Sequence, residues 1–214
     1  MEDRATGKMK NKQYAFYYDS SRCSGCKTCQ VACKDKNGLD CGILWRRVYE
    51  VNLGHWTKRG NAWLCSVKAY NMSISCNHCE DPICVKSCPT KAMHKREDGI
   101  VLIDEKRCIG CRYCEWACPY GAPQYNKSKG IMSKCTLCFD YIEEGKLPVC
   151  VSSCPMRALD FGEQNEIREK YGADCEVYPL PYAEITKPSI TITPHKDATA
   201  AGSKSAYINN KEEV

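Results

Sequence analysis

Cys108, Cys111, Cys114 and Cys118 stand at a C-x2-C-x2-C-x3-C spacing, and Pro119 follows the fourth. Thiolates spaced in this way suit one chemistry above others, the ligation of [4Fe–4S] cubanes. Three of the cysteines, on a tight loop, take three corners of one cluster. The fourth, on the following helical turn, points away toward a second cluster. Gly110 suits a loop whose backbone passes close to the cluster, where a Cβ would crowd it. Pro119 denies the short helix a backbone donor and ends it.

Three more quartets follow the same order. Cys23, Cys26, Cys29 and Cys33 repeat the spacing, with Lys34 in place of the proline. Cys76, Cys79, Cys84 and Cys88 widen the middle gap to four residues, and Pro89 follows. Cys135, Cys138, Cys150 and Cys154 have eleven residues in that gap, where Glu143-Glu144-Gly145-Lys146 reads as a surface excursion; Pro155 follows. The quartets use sixteen of the nineteen cysteines, enough for four [4Fe–4S] clusters, and leave Cys41, Cys65 and Cys175 without ligand-spaced neighbours. Those three read as small buried side chains. His78 lies inside a loop whose cysteine set is complete, so it reads as a loop residue or a partner of the ligands, not a ligand.

Other uses of so many cysteines fit less well. A secreted disulfide scaffold is disfavoured, because no apolar signal segment opens the sequence and the cysteine count is odd. Paired C-x2-C units also suit zinc, which leaves a zinc-binding interaction module as an alternative from another class. The formal charge of +5 counts every thiol as neutral. A cluster with its four thiolates carries about −2, so four of them bring the total to about −3. The scattered lysines and arginines then read as charge compensation and not as a nucleic-acid surface. Apolar runs such as Gly99–Ile103 are too short to cross a bilayer, so membrane contact is expected through a partner, without direct insertion. The radical-SAM spacing C-x3-C-x2-C is absent, and no Ser/His/Asp set or carboxylate pair stands out. No catalytic residue is assigned, and the expected role is electron transfer, not an enzymatic one.

The elements that must position these ligands repeat too. Residues 1–13 are polar, basic and without periodicity, and read as a loose extension. The aromatic strand Tyr14–Tyr18 leads into the first motif as the strand Ile100–Ile103 leads into the third, with Asp19 matching Asp104 and Arg22 matching Arg107. Cys88-Pro89-Thr90-Lys91-Ala92-Met93 matches Cys154-Pro155-Met156-Arg157-Ala158-Leu159. This is the strand–cluster–helix unit of a bacterial ferredoxin in four copies. Residues 34–75 form an aromatic insert with strands around Trp45–Val51 and Trp63–Ile74. A short helix over Glu163–Tyr171 precedes an arm that prolines 179, 181, 188 and 194 keep extended.

Ser20–Cys23, Ser75–Pro82, Ala92–Gly99, Cys108–Asn126 and Ala158–Gly162 together resemble the iron–sulfur (beta) subunits of the anaerobic dimethyl sulfoxide reductase family, which accompany molybdopterin enzymes. The resemblance covers most of residues 14–162. It implies an α+β fold of two pseudo-symmetric bacterial-ferredoxin-like 2[4Fe–4S] modules, with an inserted β segment and an extended C-terminal arm. Residues 14–75 plus 120–162 would carry motifs one and four, residues 76–119 motifs two and three, and residues 163–214 a docking arm. Cys23, Cys26 and Cys29 would then share a cluster with Cys154, and Cys135, Cys138 and Cys150 one with Cys33. Likewise Cys76, Cys79 and Cys84 would join Cys118, and Cys108, Cys111 and Cys114 would join Cys88. Electrons would run from a quinol-oxidising integral-membrane anchor subunit, through this chain, to a molybdopterin catalytic subunit that reduces dimethyl sulfoxide or a similar acceptor. The implied place is the periplasmic face of the cytoplasmic membrane, reached by co-export with the catalytic subunit, with the cytoplasmic face as the alternative. A free soluble polyferredoxin is the remaining alternative.

Overall fold

β1 (Tyr14–Asp19) opens the computed structural model, which describes residues 12–214. Apart from Lys12 and Gln13, the extension expected over residues 1–13 lies outside the described residues. Phe16 and Tyr18 enter the main core from β1, and the Tyr17 hydroxyl lies 2.7 Å from that of Thr193. The first motif closes on α1 (Thr28–Lys36), where Cys29 and Cys33 lie one turn apart on the buried face. The insert then supplies β2 (Arg47–Leu53), β3 (Trp56–Arg59), β4 (Ala62–Cys65) and β5 (Lys68–Ile74). The second motif carries α2 (Ile83–Lys86) and leads into β6 (Met93–Lys95). β7 (Val101–Ile103) feeds the third motif and α3 (Tyr113–Ala117), which ends before Cys118-Pro119. A hairpin of β8 (Gln124–Asn126) and β9 (Ile131–Ser133) follows. The fourth motif holds α4 (Phe139–Glu143) and α5 (Val149–Ser152), then β10 (Leu159–Glu163), α6 (Gln164–Tyr171), β11 (Ile190–Thr193) and β12 (Ala206–Ile208).

The strands that flank the motifs pair in matching register. β1 runs antiparallel to β10 with Tyr18 opposite Leu159, and β7 runs antiparallel to β6 with Ile103 opposite Met93. These are equivalent positions in the sequence repeat. The backbone N–H of Asp19 bonds the carbonyl of Ala158 at 2.8 Å, and that of Asp104 bonds the carbonyl of Ala92 at 2.9 Å. Each pair thus joins the start of one motif to the end of another.

The tail departs from the expected free arm. β11 adds to β1 as a parallel strand, and β12 adds to β2 on the edge opposite β5. Ile190, Ile192 and Ala206 are buried. The prolines punctuate this segment, but its β-branched run Ile190-Thr191-Ile192-Thr193 is long enough to take a place in the sheet. The β8–β9 hairpin bonds to the insert through Leu44 and Trp45 and sends Met132 into the cluster of buried side chains that holds Cys84, Cys114 and Val101. Cys41 and Cys65, expected to be buried, are exposed, and Cys175 is half-buried. Cys65 is exposed because β3 and β4 pair only with each other, and every residue on them faces solvent. Among the described residues no helix is long and apolar enough to cross a membrane.

Candidate iron–sulfur centres

The motif cysteines gather into four sets, each with three members from one motif and one from another. The first set, Cys23, Cys26, Cys29 and Cys154, lines one common cavity. The second, Cys33, Cys135, Cys138 and Cys150, lines another. In the third set Cys76, Cys79 and Cys118 lie close enough to Cys84 for their charges to raise its thiol, after burial has already done so. Cys88, Cys108, Cys111 and Cys114 form the fourth set around a further cavity.

The donors are soft sulfur ligands, and they surround volumes and not points. Among the described residues no three His, Cys, Asp or Glu side chains converge to hold a single ion. Zinc would need its sulfurs about 2.3 Å from one centre. A cubane instead takes one thiolate at each iron corner, so sulfurs spread around a cavity fit it.

Local backbone geometry aims the ligands. Lys27 and Arg112 are equivalent in the repeat; each follows the second cysteine of its motif and precedes its helix in the left-handed region, with φ of 59° and 64°. Left-handed backbone at non-glycine residues is costly and persists where surrounding structure enforces it. Gly110 has φ 67°, and a Cβ there would collide with the Gly130 carbonyl oxygen of the β8–β9 turn. The glycine is therefore required by the hairpin as well as by the loop's winding.

Several N–H groups are directed at the sulfurs. Ala158 donates to Cys154 Sγ at 3.4 Å, Met93 to Cys88 Sγ at 3.4 Å, Met132 to Cys108 Sγ at 3.4 Å and Leu137 to Cys135 Sγ at 3.3 Å. Such bonds stabilise negative charge on the ligands and tune a bound cluster. Burial, reinforced by neighbouring thiolates, pushes the Cys33, Cys79 and Cys114 thiols up to about 12. Iron would supply the positive charge that lets these groups ionise inside the protein.

His78 is buried, and its Nδ1 accepts the Val101 N–H at 3.0 Å. Burial, with Lys134 and Lys95 nearby, holds it well below the usual histidine range, so it is neutral. Its carbonyl accepts from Gln13 Nε2 at 3.0 Å and Ser189 Oγ at 3.1 Å, so it ties the second loop to the residues that lead into β1 and β11. Sequence reasoning missed Arg46 and Lys134, both buried beside the ligand sets. Neither stands in a pattern that sets it apart from a surface cation.

Residues 67–164 match the 4Fe-4S dicluster domain family. The sequence is 55% identical over 202 residues to the B subunit of anaerobic dimethyl sulfoxide reductase from Escherichia coli (strain K12), covering 94% of this protein and 98% of that one. It is 50% identical over 204 residues to the subunit of the same name from Haemophilus influenzae, covering 95% of this protein and all of the relative. A more distant relative, the formate dehydrogenase iron-sulfur subunit of Wolinella succinogenes, is 39% identical over 174 residues, 71% of this protein and 82% of that one.

Proposed function

The chain belongs to the iron–sulfur electron-transfer subunits of the anaerobic dimethyl sulfoxide reductase family, which are not themselves catalytic, and on that premise we propose that it is a four-cluster relay. Each of the four cysteine sets holds one [4Fe–4S] cluster, which gains and loses a single electron. The observation that carries this reading is the crossed composition of the sets: cavities are lined by three cysteines of one motif and one of its partner motif. The matching register of the two strand pairs supports two pseudo-symmetric modules, one built on motifs one and four and the other on motifs two and three.

The sets adjoin in the order first, second, third, fourth. Cys29 and Cys33 share α1; Cys135 and Cys76 share one small buried group; Cys84 and Cys114 share another. Every cysteine of the second set is buried, whereas Cys26 of the first is exposed and Ile109 and Trp116 beside the fourth face solvent. A relay needs its end members near the surface and its middle members insulated from solvent, which this distribution supplies.

Electrons enter from a quinol-oxidising membrane-anchor subunit and leave to a molybdopterin subunit that reduces dimethyl sulfoxide or a similar acceptor. The protein sits at the membrane through those partners, on the periplasmic face if it is exported with the catalytic subunit. The 163–214 segment first completes the protein's own sheets; its outer surface is the part available for docking.

In membranes carrying the assembled complex, quinol should reduce the clusters and dimethyl sulfoxide should reoxidise them. Clusters that quinol reduces but no sulfoxide or related oxide reoxidises would reject the relay. Purification without any molybdopterin protein would favour the free polyferredoxin.

A further inference from the structure

We propose that Arg46 is a positioning residue for electron transfer, a fixed internal cation that raises the reduction potential of the cluster held by Cys33, Cys135, Cys138 and Cys150. This rests on the ligand sets proposed above. Arg46 is 2% exposed and ranks among the largest wholly buried side chains. It lines the cavity of the second set together with all four of its cysteines. A guanidinium keeps its proton in proteins, so a full positive charge sits beside the Cys33, Cys135, Cys138 and Cys150 sulfurs. A buried cation is costly unless an anion answers it. Here the answering charges come from cluster ligands.

Its hydrogen bonds fix it between three sets. Nη1 donates to Ser73 Oγ at 3.1 Å, and that hydroxyl lies 3.3 Å from Cys29 Sγ of the first set. Nη2 donates to Ser75 Oγ at 2.9 Å, immediately before Cys76 of the third set. Arg46 and Cys33 of the second set line the same cavity. The guanidinium also stacks over the Phe16 ring, 4.7 Å from its centroid. Among the described residues Nε has no partner. A planar fork held by two serines and an aromatic face stays in place, which a flexible ammonium would not do as well.

Reduction adds one negative charge to a cluster, and a fixed cation in a dry interior favours that state. The effect falls with distance, so the second set should feel it most. Its sense is to keep a middle member of the relay from becoming an uphill step.

The test uses the protein assembled with its catalytic partner, in wild-type, Arg46→Gln and Arg46→Lys forms. Iron and sulfide are measured first; a wild type with fewer than four clusters contradicts the ligand sets and is seen before any variant is compared. EPR-monitored redox titration then follows each cluster, the second set being the component that Cys138→Ser alters. Arg46→Gln with wild-type iron should lower that potential by a tenfold change or more in the reduction equilibrium, which is 59 mV for one electron, and move the others less. Arg46→Lys should restore most of the shift. An unchanged potential, an equal shift of all four, or a lysine variant displaced as far as the glutamine one overturns the proposal. If Arg46→Gln holds no iron, Arg46→Lys decides: loaded clusters at near wild-type potential support the charge. Failure of both variants to load overturns it in favour of a packing role.

Discussion

Cys135 and Cys76, from different motifs, lie together with Ala122 in one small buried group, and the Cys76 thiolate adds to burial in raising the Cys135 thiol. Cys135 belongs to the second ligand set and Cys76 to the third. On the proposed four-cluster relay, cysteines of the second and third sets meet inside the protein, so an electron need not leave the interior to pass between them.

Cys111 tests the fourth set. In Cys111→Ser, three thiols from Cys88, Cys108 and Cys114 still face the cavity. One iron corner should be lost and the rest kept, with a new [3Fe–4S] signal in EPR of the oxidised protein. A trinuclear centre takes its electron at higher potential and acts as a sink, so quinol-driven turnover should fall far more than turnover from a small artificial donor. Wild-type quinol-driven turnover with that signal present would show that this cluster is not an obligatory step.

Serine at Cys41, Cys65 or Cys175 should leave iron content unchanged. Cys41 and Cys65 are exposed, and none of the three lines a ligand cavity. At the two exposed sites the stability change should stay within about 0.5 kcal/mol. Loss of a whole cluster from any of the three would show that a ligand has been misassigned.

The tail should be needed for cluster retention. Ile192, 1% exposed, packs from β11 against the core that β1 and β10 share. Ile192→Ala should cost about 2–5 kcal/mol and speed iron loss to a chelator. Truncation after Gly162, which a free docking arm would tolerate, should strip iron from the first two sets. Retention of all clusters by the truncated protein would contradict the structural role of β11.

What the sequence makes legible is local. A cysteine quartet carries its spacing within eleven to twenty residues, and the strand leading into it shows in the aromatic run of β1, so motifs and flanking strands can be read directly. The partner motif in each cavity follows from two strand pairings, β1 with the sequence-distant β10 and β7 with its neighbour β6, and only family resemblance suggested which motifs pair. Ile190–Thr193 had a strand's composition, but the surrounding prolines argued for an extended arm, and nothing local shows that β1 has a free edge there. Cys65 misled for a different reason: free cysteines are buried on average, and an average does not show that β3 and β4 stand away from the core. Arg46 had no local signal, because its meaning comes from Ser73, Ser75 and the thiols that folding brings to it.

Removing iron should collapse the tertiary structure as well as the redox activity. Cys29, Cys79, Cys150 and Cys154 are part of the main core, together with Phe16, Tyr18 and Ile192. Buried thiols around empty cavities replace ligand bonds by voids, and cluster binding is then coupled to folding. Anaerobic chelation should abolish the near-ultraviolet circular dichroism. An iron-free protein that keeps a native near-ultraviolet spectrum would show that the core stands without its clusters.

The most direct measurement is anaerobic iron, sulfide and zinc analysis of the intact protein with its catalytic partner, corrected for metal that the partner carries. Four complete cysteine sets predict about sixteen iron and sixteen inorganic sulfide per molecule, without zinc. A value near eight iron, or zinc in stoichiometric amount, would contradict the four-cluster relay.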